Sequence, residues 1–202
     1  MHKLLLKKSV FKLIIILFCL AQQATAQKSF LASLQPQQLN VQYAGSIGFL
    51  SVGAGYNFFK EKTALSFHAG YVPKSLGGEL TILAIKFEYK PWAIKVKDKL
   101  IIHPFNPVVF PSYTLGENFD YKFEKPTYQK GYYFWSSALR IHLGFGSEVK
   151  ILTNSPTSKI RSVSLYAETN TNDLYAISWF QNRTSTPFYK MFKLGYGVRM
   201  NF

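Results

Sequence analysis

The sequence predicts an all-β protein, an eight-stranded antiparallel transmembrane β-barrel that follows a cleaved signal peptide. Three observations predict it: a C-terminal segment that alternates between apolar and polar residues, further segments with the same alternation, and an N-terminal export signal. No apolar run after residue 27 is long enough for a membrane-spanning helix, so only a closed barrel could cross a bilayer. We predict a signal peptide over residues 1–26, a short exposed lead-in over 27–38 and a barrel domain over 39–202.

The last fourteen residues carry the clearest strand pattern. Successive side chains of a strand point to opposite sides, so alternate positions collect on two faces. One face is wholly apolar or aromatic and consists of Phe192, Leu194, Tyr196, Val198, Met200 and Phe202. The other carries charge, amide and glycine, in Lys193, Gly195, Gly197, Arg199 and Asn201. This pattern is typical of a strand with lipid on one side and a wet lumen on the other.

In this terminal strand the chain resembles small bacterial outer-membrane β-barrel proteins of the OmpA-like and Bacteroidetes type. In those families the last strand alternates in the same way and ends in Phe. The resemblance implies a location in the outer membrane of a Gram-negative bacterium and insertion by the barrel-assembly machinery. It also implies that the assembly signal is formed here by Tyr196, Val198, Met200 and Phe202. It implies no particular activity.

The N-terminus independently predicts export. A cationic region, an apolar core and a small-x-small cleavage site follow one another, formed by Lys3, Lys7, Lys8 and Lys12, by residues 13–20, and by Ala24-Thr-Ala26. The single cysteine, Cys19, follows Phe18, where a lipid-anchor motif requires a small side chain, so we predict no lipidation. The mature chain would then contain no cysteine, which excludes disulfides and thiol chemistry.

The same alternation predicts seven strands before the last one. We place them at residues 43–59, 64–72, 80–92, 100–115, 131–146, 160–170 and 174–182. The first contains a bulge near Gly48, where the alternation slips. The fourth is weakened by three prolines, because each proline removes a hydrogen-bond donor from the strand ladder.

Charged and polar side chains are predicted to face the lumen. They are His68, Lys86, Glu88, Lys90, Arg140, His142, Tyr166, Glu168, Lys193 and Arg199. The interior of an eight-stranded barrel is just wide enough for side chains to fill, and buried charges must pair. We therefore predict a structural salt-bridge network, with a narrow, porin-like pore for ions or small solutes as the alternative.

Basic residues dominate the charge of the chain. The formal net charge is +14, and removing the four signal lysines lowers it by four to +10. With both termini in the periplasm, the predicted strand count places most basic connections outside, where lysine and arginine would contact lipopolysaccharide phosphates. These residues are Lys60, Lys62, Lys95, Lys97, Lys99, Lys159, Arg161 and Arg183. The alternative is that lysine simply keeps the turns soluble.

One connection conflicts with this orientation. The long segment between Gly116 and Lys130 would lie in the periplasm, yet barrels usually keep long loops outside. Either a strand is miscounted in the proline-rich region, or this loop contacts an envelope protein or plugs the barrel.

The sequence does not predict catalysis. Outer-membrane lipid A deacylases resemble this chain in size and location, but their motif places His before Ser on a lipid-facing surface. Here Ser66-Phe-His68 has the reverse order and faces the lumen, and the histidines lack metal-ligand spacing. We predict no catalytic, metal or cofactor residues, no nucleic-acid partner, and a monomer with a structural or interaction role in envelope integrity, lipopolysaccharide contact or a larger complex. A lipid A-modifying hydrolase is the remaining alternative.

Overall fold

Eight antiparallel strands close into a barrel in the computed structural model, which describes residues 35–76, 78–116, 136–153, 157–184 and 187–202. Residues 37–202 form one compact unit. Its strands are β1 (Gln38–Ala44), β2 (Leu50–Phe58), β3 (Thr63–Val72), β4 (Leu80–Tyr89), β5 (Ile94–Lys97), β6 (Leu100–Leu115), β7 (Leu139–Leu152), β8 (Ser162–Asn172) and β9 (Lys193–Asn201). One α-helix, α1 (Asp173–Gln181), and two 3-10 turns, Lys74–Leu76 and Phe188–Met191, complete the described elements.

Neighbouring strands of the barrel are consecutive in sequence, apart from the short β5. The pairing of β9 with β1, for example Tyr196 opposite Tyr43, joins the two ends of the chain. The pairing of β4 with β6, for example Thr81 opposite Leu115, closes the remaining seam. The short β5 pairs only with the first residues of β6 and extends one rim. Closure gives each of the eight barrel strands a partner on both sides, so that among the described strands only the short β5 has an unpaired edge.

Most predicted strands are confirmed, and two predictions are wrong. Strands β3, β6 and β8 begin and end within two residues of the predicted segments, β4 ends three residues before the predicted end at residue 92, and β9 lies within the last fourteen residues. The predicted strand at 43–59 is instead two strands with a turn between them, and the predicted strand at 174–182 is the helix α1. The missed strand β1 and the false strand at 174–182 offset each other. The predicted number of eight barrel strands is therefore right, although two of them were assigned to the wrong residues. The predicted strand at 131–146 is observed at Leu139–Leu152, and residues 131–135 lie outside the described residues.

Helix α1 forms because its first turn is capped. Asn172 has extended backbone, and its side-chain oxygen accepts a hydrogen bond from the Tyr175 backbone N–H at 2.8 Å. Asp173 adds a carboxylate in the first turn, where the helix dipole favours negative charge. Leu174 and Ala176 place apolar residues on the parity that a barrel strand would fill with polar ones. Among the described residues, no helix is long and apolar enough to span a membrane.

The turn between β1 and β2 folds into the interior of the barrel. Ala44, Gly45 and Gly48 have positive φ values of 59°, 83° and 122° there, so the predicted bulge near Gly48 is a full reversal. Ile47 at its tip is completely buried. Gly70 on β3 makes room for it, since a Cβ atom at this position would lie 1.6 Å from the Ile47 carbonyl oxygen.

The barrel wall is apolar outside and polar inside. Exposed side chains of the strands are large and apolar, including Leu39, Val41, Val52, Leu65, Phe67, Ile85, Phe87, Leu143, Leu165 and Val198. Buried side chains are mostly polar or charged, including Asn40, Gln42, Ser51, Ser66, His68, Lys86, Glu88, His142, Glu148, Ser164, Glu168 and Arg199. This arrangement is the reverse of that in a water-soluble domain, in which apolar residues lie inside. The predicted alternation of the strands is confirmed.

The two ends of the barrel differ. The terminus end carries both ends of the domain, with the Phe202 N–H donating to the Gln37 carbonyl at 2.9 Å, and the connections 59–62, 90–99 and 153–161. The opposite loop end carries the connections 45–49, 73–79, 116–138 and 173–192. The long connection between β6 and β7 therefore starts and finishes opposite the termini, which removes the conflict that the miscounted strands created. The residues within it, 117–135, lie outside the described residues.

The same change of strand assignment moves the basic residues. The prediction that the eight basic side chains lie opposite the termini is wrong for seven of them. Those at the terminus end are Lys60, Lys62, Lys95, Lys97, Lys99, Lys159 and Arg161, whereas Arg183 follows α1 at the loop end.

Candidate functional site

Arg199 on β9 is the centre of a charged network inside the barrel. Its Nη2 atom donates to Glu88 Oε2 at 2.5 Å, its Nη1 atom donates to Glu148 Oε2, and its Nε atom donates to Asn40 Oδ1 at 2.9 Å. Because β4 lies four strands from β9 in either direction around the ring, the Arg199–Glu88 contact spans the interior. The guanidinium also lies 5.1 Å from the centre of the Tyr166 ring.

Lys90 and Asn106 complete the shell around the two carboxylates. Lys90 Nζ donates to Glu148 Oε2 at 2.7 Å, so Glu148 is shared by an ammonium and a guanidinium. Asn106 Nδ2 donates to Glu88 Oε1 at 3.2 Å. Each buried carboxylate is thus paired with positive charge, the condition under which buried ions are tolerated.

A second cluster surrounds Lys86. Its Nζ atom donates to Glu168 Oε2 at 2.8 Å and to Gln42 Oε1 at 3.0 Å. The Tyr166 hydroxyl donates to the same Gln42 oxygen at 3.2 Å, and Asn170 Nδ2 donates to Glu168 Oε1 at 3.3 Å. These contacts connect β4, β1 and β8 across the lumen.

Charge balances inside the barrel. Among the described residues, three buried cations, Lys86, Lys90 and Arg199, face three buried carboxylates, Glu88, Glu148 and Glu168. A fourth buried cation, Lys150, pairs at the terminus end with Glu61, whose side chain is 47% exposed. The Arg199–Glu88 contact reaches at hydrogen-bond distance from one wall of the barrel to the opposite wall. The arrangement is therefore a charge-neutral filling of the barrel.

Apolar side chains fill the barrel interior towards the loop end. Ile47 packs in one cluster with residues of β4 and β6, namely Ile82, Ala84, Val108 and Phe110. The Phe110 ring stacks on the His142 imidazole with 4.4 Å between the ring centres. The turn between β1 and β2 thus supplies an apolar plug above the charged network.

Two serine–histidine pairs lie in the interior. Ser66 Oγ is 2.9 Å from His68 Nε2, and Ser112 Oγ is 2.8 Å from His142 Nε2. A serine hydrolase needs such a pair together with an acid on the second imidazole nitrogen. The Nδ1 atoms of both histidines have no hydrogen-bond partner among the described residues. The described residues also contain no group of three or more His, Cys, Asp or Glu that could hold a metal ion.

The structure places eight of the ten predicted lumen residues in the interior: His68, Lys86, Glu88, Lys90, His142, Tyr166, Glu168 and Arg199. The other two lie near the loop end, and only the prediction for Lys193 is wrong. Arg140 has the same inward parity as His142, its side chain is 11% exposed, and its Nη1 atom donates to the Ser136 carbonyl at 3.1 Å. Lys193 is exposed, and its ammonium lies 5.1 Å from the centre of the Tyr175 ring.

Sequence reasoning missed several of the polar residues in the interior. Glu148 and Lys150 had been assigned to a connection, because the predicted strand ended at residue 146. The signal was present, since these two polar residues alternate with Val149 and Ile151. Asn40 and Gln42 were missed because β1 had not been recognised as a separate strand. The Ser112–His142 pair joins β6 to β7 and needed the strand register to be seen.

In comparisons with known proteins, no family model matches the sequence, and no curated protein or solved structure matches it significantly. The functional assignment therefore depends on the geometry and chemistry of the barrel itself.

Proposed function

We propose that this protein is an outer-membrane β-barrel with a sealed interior and a structural or interaction role in the cell envelope. It is a monomer whose outer surface contacts lipid. Its two rims are available to lipid headgroups or envelope proteins. The proposal assigns it no reaction and no solute to transport.

The observation that carries this proposal is the outward-facing apolar surface. Each fully exposed aliphatic or aromatic side chain forgoes about 1.5–3 kcal/mol of burial free energy in water. Leu143 is 66% exposed and Leu165 is 59% exposed, and both lie on the exterior of the barrel. Monomeric soluble proteins rarely expose continuous apolar areas of this kind. A bilayer covers the whole circumference at once, which no single partner protein would do.

The location is supported by two features of the sequence. The N-terminal segment has the form of an export signal, and the last strand ends in Phe202 after an apolar alternation. In the orientation usual for such barrels, with termini in the periplasm, the long connections face outward. The basic turns of the terminus end would then face the inner leaflet, and only Arg183 of the eight basic residues named above would face lipopolysaccharide.

Membrane insertion is tested by expressing the full chain in a Gram-negative host. We expect the mature protein in the outer-membrane fraction, resistant to alkaline extraction. Unheated samples should migrate differently from boiled samples in SDS gels, since a closed barrel has no edge at which unfolding can begin. Recovery in the soluble periplasmic fraction would refute the proposal.

The sealed interior is tested separately by electrical recording in planar bilayers. We expect no ion conductance from the wild-type protein, because Arg199, Glu88 and Glu148 bridge the lumen. A steady ohmic conductance would refute the sealed interior and favour a narrow pore, while leaving the membrane location intact.

A further inference from the structure

Aromatic side chains form a platform at the loop end. We define it as α1 together with the 3-10 turn Phe188–Met191 and Phe192. Edge-to-face contacts hold it together, with ring centres 5.2 Å apart for Trp179 and Phe188 and 5.1 Å apart for Phe188 and Phe192. Trp179 also contacts Phe180, with ring centres 5.4 Å apart. These contacts give the connection between β8 and β9 a defined shape.

The platform is apolar but not covered. No residue of α1 is buried, and the Phe180 side chain is 60% exposed. In the adjoining turn Tyr189 is 70% exposed. A helix with apolar residues on all sides is normally buried in a core or in a membrane. The exposed rings of this helix would therefore be stabilised by contact with an apolar environment, such as a membrane or another protein.

The platform is continuous with the outer wall of the barrel. Asp173 Oδ1 accepts a hydrogen bond from the Ile141 backbone N–H at 3.2 Å, which ties the start of α1 to the rim of β7. The exterior residues next to this rim, Leu143 and Leu194, are exposed and apolar. A bilayer that covers the wall would therefore meet the platform at its upper boundary.

Cations are held on the aromatic faces. The Arg183 guanidinium lies 4.3 Å from the centre of the Phe180 ring, and the Lys193 ammonium lies 5.1 Å from that of Tyr175. Lys190 is exposed in the turn between them. Cations over aromatic faces keep their charge while the rings remain available to an apolar partner. Tryptophan, tyrosine and basic residues are the combination that occupies the lipid headgroup region.

We propose that this platform lies in the headgroup layer of the outer leaflet, with its rings among the upper acyl carbons and Arg183 and Lys190 on phosphates of lipopolysaccharide. The inference rests on the proposed function and deepens it. The position opposite the termini selects the outer leaflet, where the phosphates belong to lipid A. The platform then fixes the depth and tilt of the barrel.

The depth of the platform is tested with two single-tryptophan chains. Both carry W92F, W135F and W179F, and one adds F180W on the platform while the other adds L165W on the outer wall. Each full chain is folded into phosphatidylcholine vesicles that contain lipid A. Emission is measured with aqueous iodide and with lipids brominated near the headgroup or deep in the chain. We expect F180W to be quenched most by the shallow bromines and L165W by the deep ones.

The outcomes separate this inference from the proposed function. If F180W is quenched by iodide alone while L165W is quenched by deep bromines, the barrel is inserted and the platform inference is overturned. If F180W is shielded from iodide and from all bromines, protein covers the platform and the inference is again overturned. If L165W is not quenched by any brominated lipid, the outer-membrane proposal itself fails.

The phosphate contact is tested with R183Q/K190Q. Detergent-solubilised full chain carrying F180W is titrated with lipid A, and the blue shift of emission gives an apparent affinity. We expect the double variant to bind lipid A several-fold more weakly and to lose most of the salt dependence, because screening acts on exposed charges. The control K97Q/K99Q changes two lysines at the terminus end and should leave the affinity unchanged. An equal loss in the control, or equal binding of phosphatidylglycerol by the wild type, would overturn the assignment to lipid A.

Discussion

The barrel interior is filled in two different ways. Towards the terminus end, Arg199, Glu88 and Glu148 from three strands meet at hydrogen-bond distance. Towards the loop end, Ile47 enters from a turn and packs on Phe110. In the proposed sealed barrel both arrangements close the lumen, the first through specific ion pairs and the second through the volume of its apolar side chains. The inward positions of β4 and β6 are therefore mostly apolar towards the loop end, whereas inward positions towards the terminus end are charged, and the two fillings should differ in their tolerance to substitution.

The largest effect is expected in the charged half. Arg199→Met should lower the free energy of unfolding by about 3–5 kcal/mol, because it leaves the carboxylates of Glu88 and Glu148 buried without their shared cation. Unfolding by urea in phospholipid vesicles, followed by tryptophan fluorescence, measures the loss.

A compensated variant shows whether charge balance is the cause. R199M/E88Q removes one cation and one carboxylate, so that Lys86 still pairs with Glu168 and Lys90 with Glu148. We expect this double variant to be more stable than R199M, although it carries one more substitution. If the double variant is less stable than R199M, the stability lost in R199M comes from packing of the guanidinium rather than from unpaired charge. The charged half would then depend on packed volume, as the apolar half does.

The apolar half should respond to volume. Ile47→Ala removes buried methyl groups from a completely buried site and should cost about 2–5 kcal/mol, whereas Ile47→Val should cost about 0.5–1.5 kcal/mol. The same unfolding measurement applies. Equal losses for the two variants would show that the turn does not pack as a plug. Planar-bilayer conductance of I47A should remain absent, because the charged network still bridges the lumen.

Sequence alone identified most of the wall but little of the interior geometry. Alternation revealed β9 and β4 because the outward face of each strand is apolar and the inward face is polar, so the two residue types alternate along the sequence. It failed for α1, where Tyr175, Ile177 and Trp179 imitate a strand and the decisive signal is the cap at Asn172. It also missed β1, because the predicted first strand begins at residue 43 and the reversal at Gly48 resembles a bulge in a one-dimensional pattern.

The partners of the charged network are a non-local property. Arg199 and Glu88 are 111 residues apart in sequence, and only the closed ring brings them together. Their inward parity could be predicted from each strand separately. Which carboxylate pairs with which cation depends on strand register and tilt, which a single sequence does not encode in any short pattern.

A smaller effect is expected at the strained turn between β2 and β3, at the terminus end of the barrel. Phe59, Lys60 and Glu61 all have left-handed backbone, with φ values of 52°, 57° and 64°. Glycine adopts this conformation without the Cβ clash, so Lys60→Gly should raise the free energy of unfolding by about 0.5–1 kcal/mol after its greater unfolded-state entropy is subtracted. The control Lys62→Gly, at a position without positive φ, should lower it by about 0.5–1 kcal/mol. Equal effects of the two variants would show that the left-handed backbone at Lys60 does not strain the turn.

The smallest effect is expected where the charged network reaches water. Lys150 pairs with Glu61, but the Glu61 side chain is 47% exposed, whereas the partners of Arg199 are buried. Pairs that reach water contribute about 0–1 kcal/mol, and here water solvates the Glu61 carboxylate although the Lys150 side chain is 8% exposed. The glutamine of E61Q also keeps an oxygen that can accept from the Lys150 ammonium. Glu61→Gln should therefore cost less than about 1 kcal/mol in the urea measurement. Its cost should fall further in high salt, while that of Arg199→Met should not, since screening by ions does not reach buried pairs. If E61Q proves as costly as R199M, burial is not what makes the interior charges important, and the distinction between the charged half and its rim would have to be abandoned.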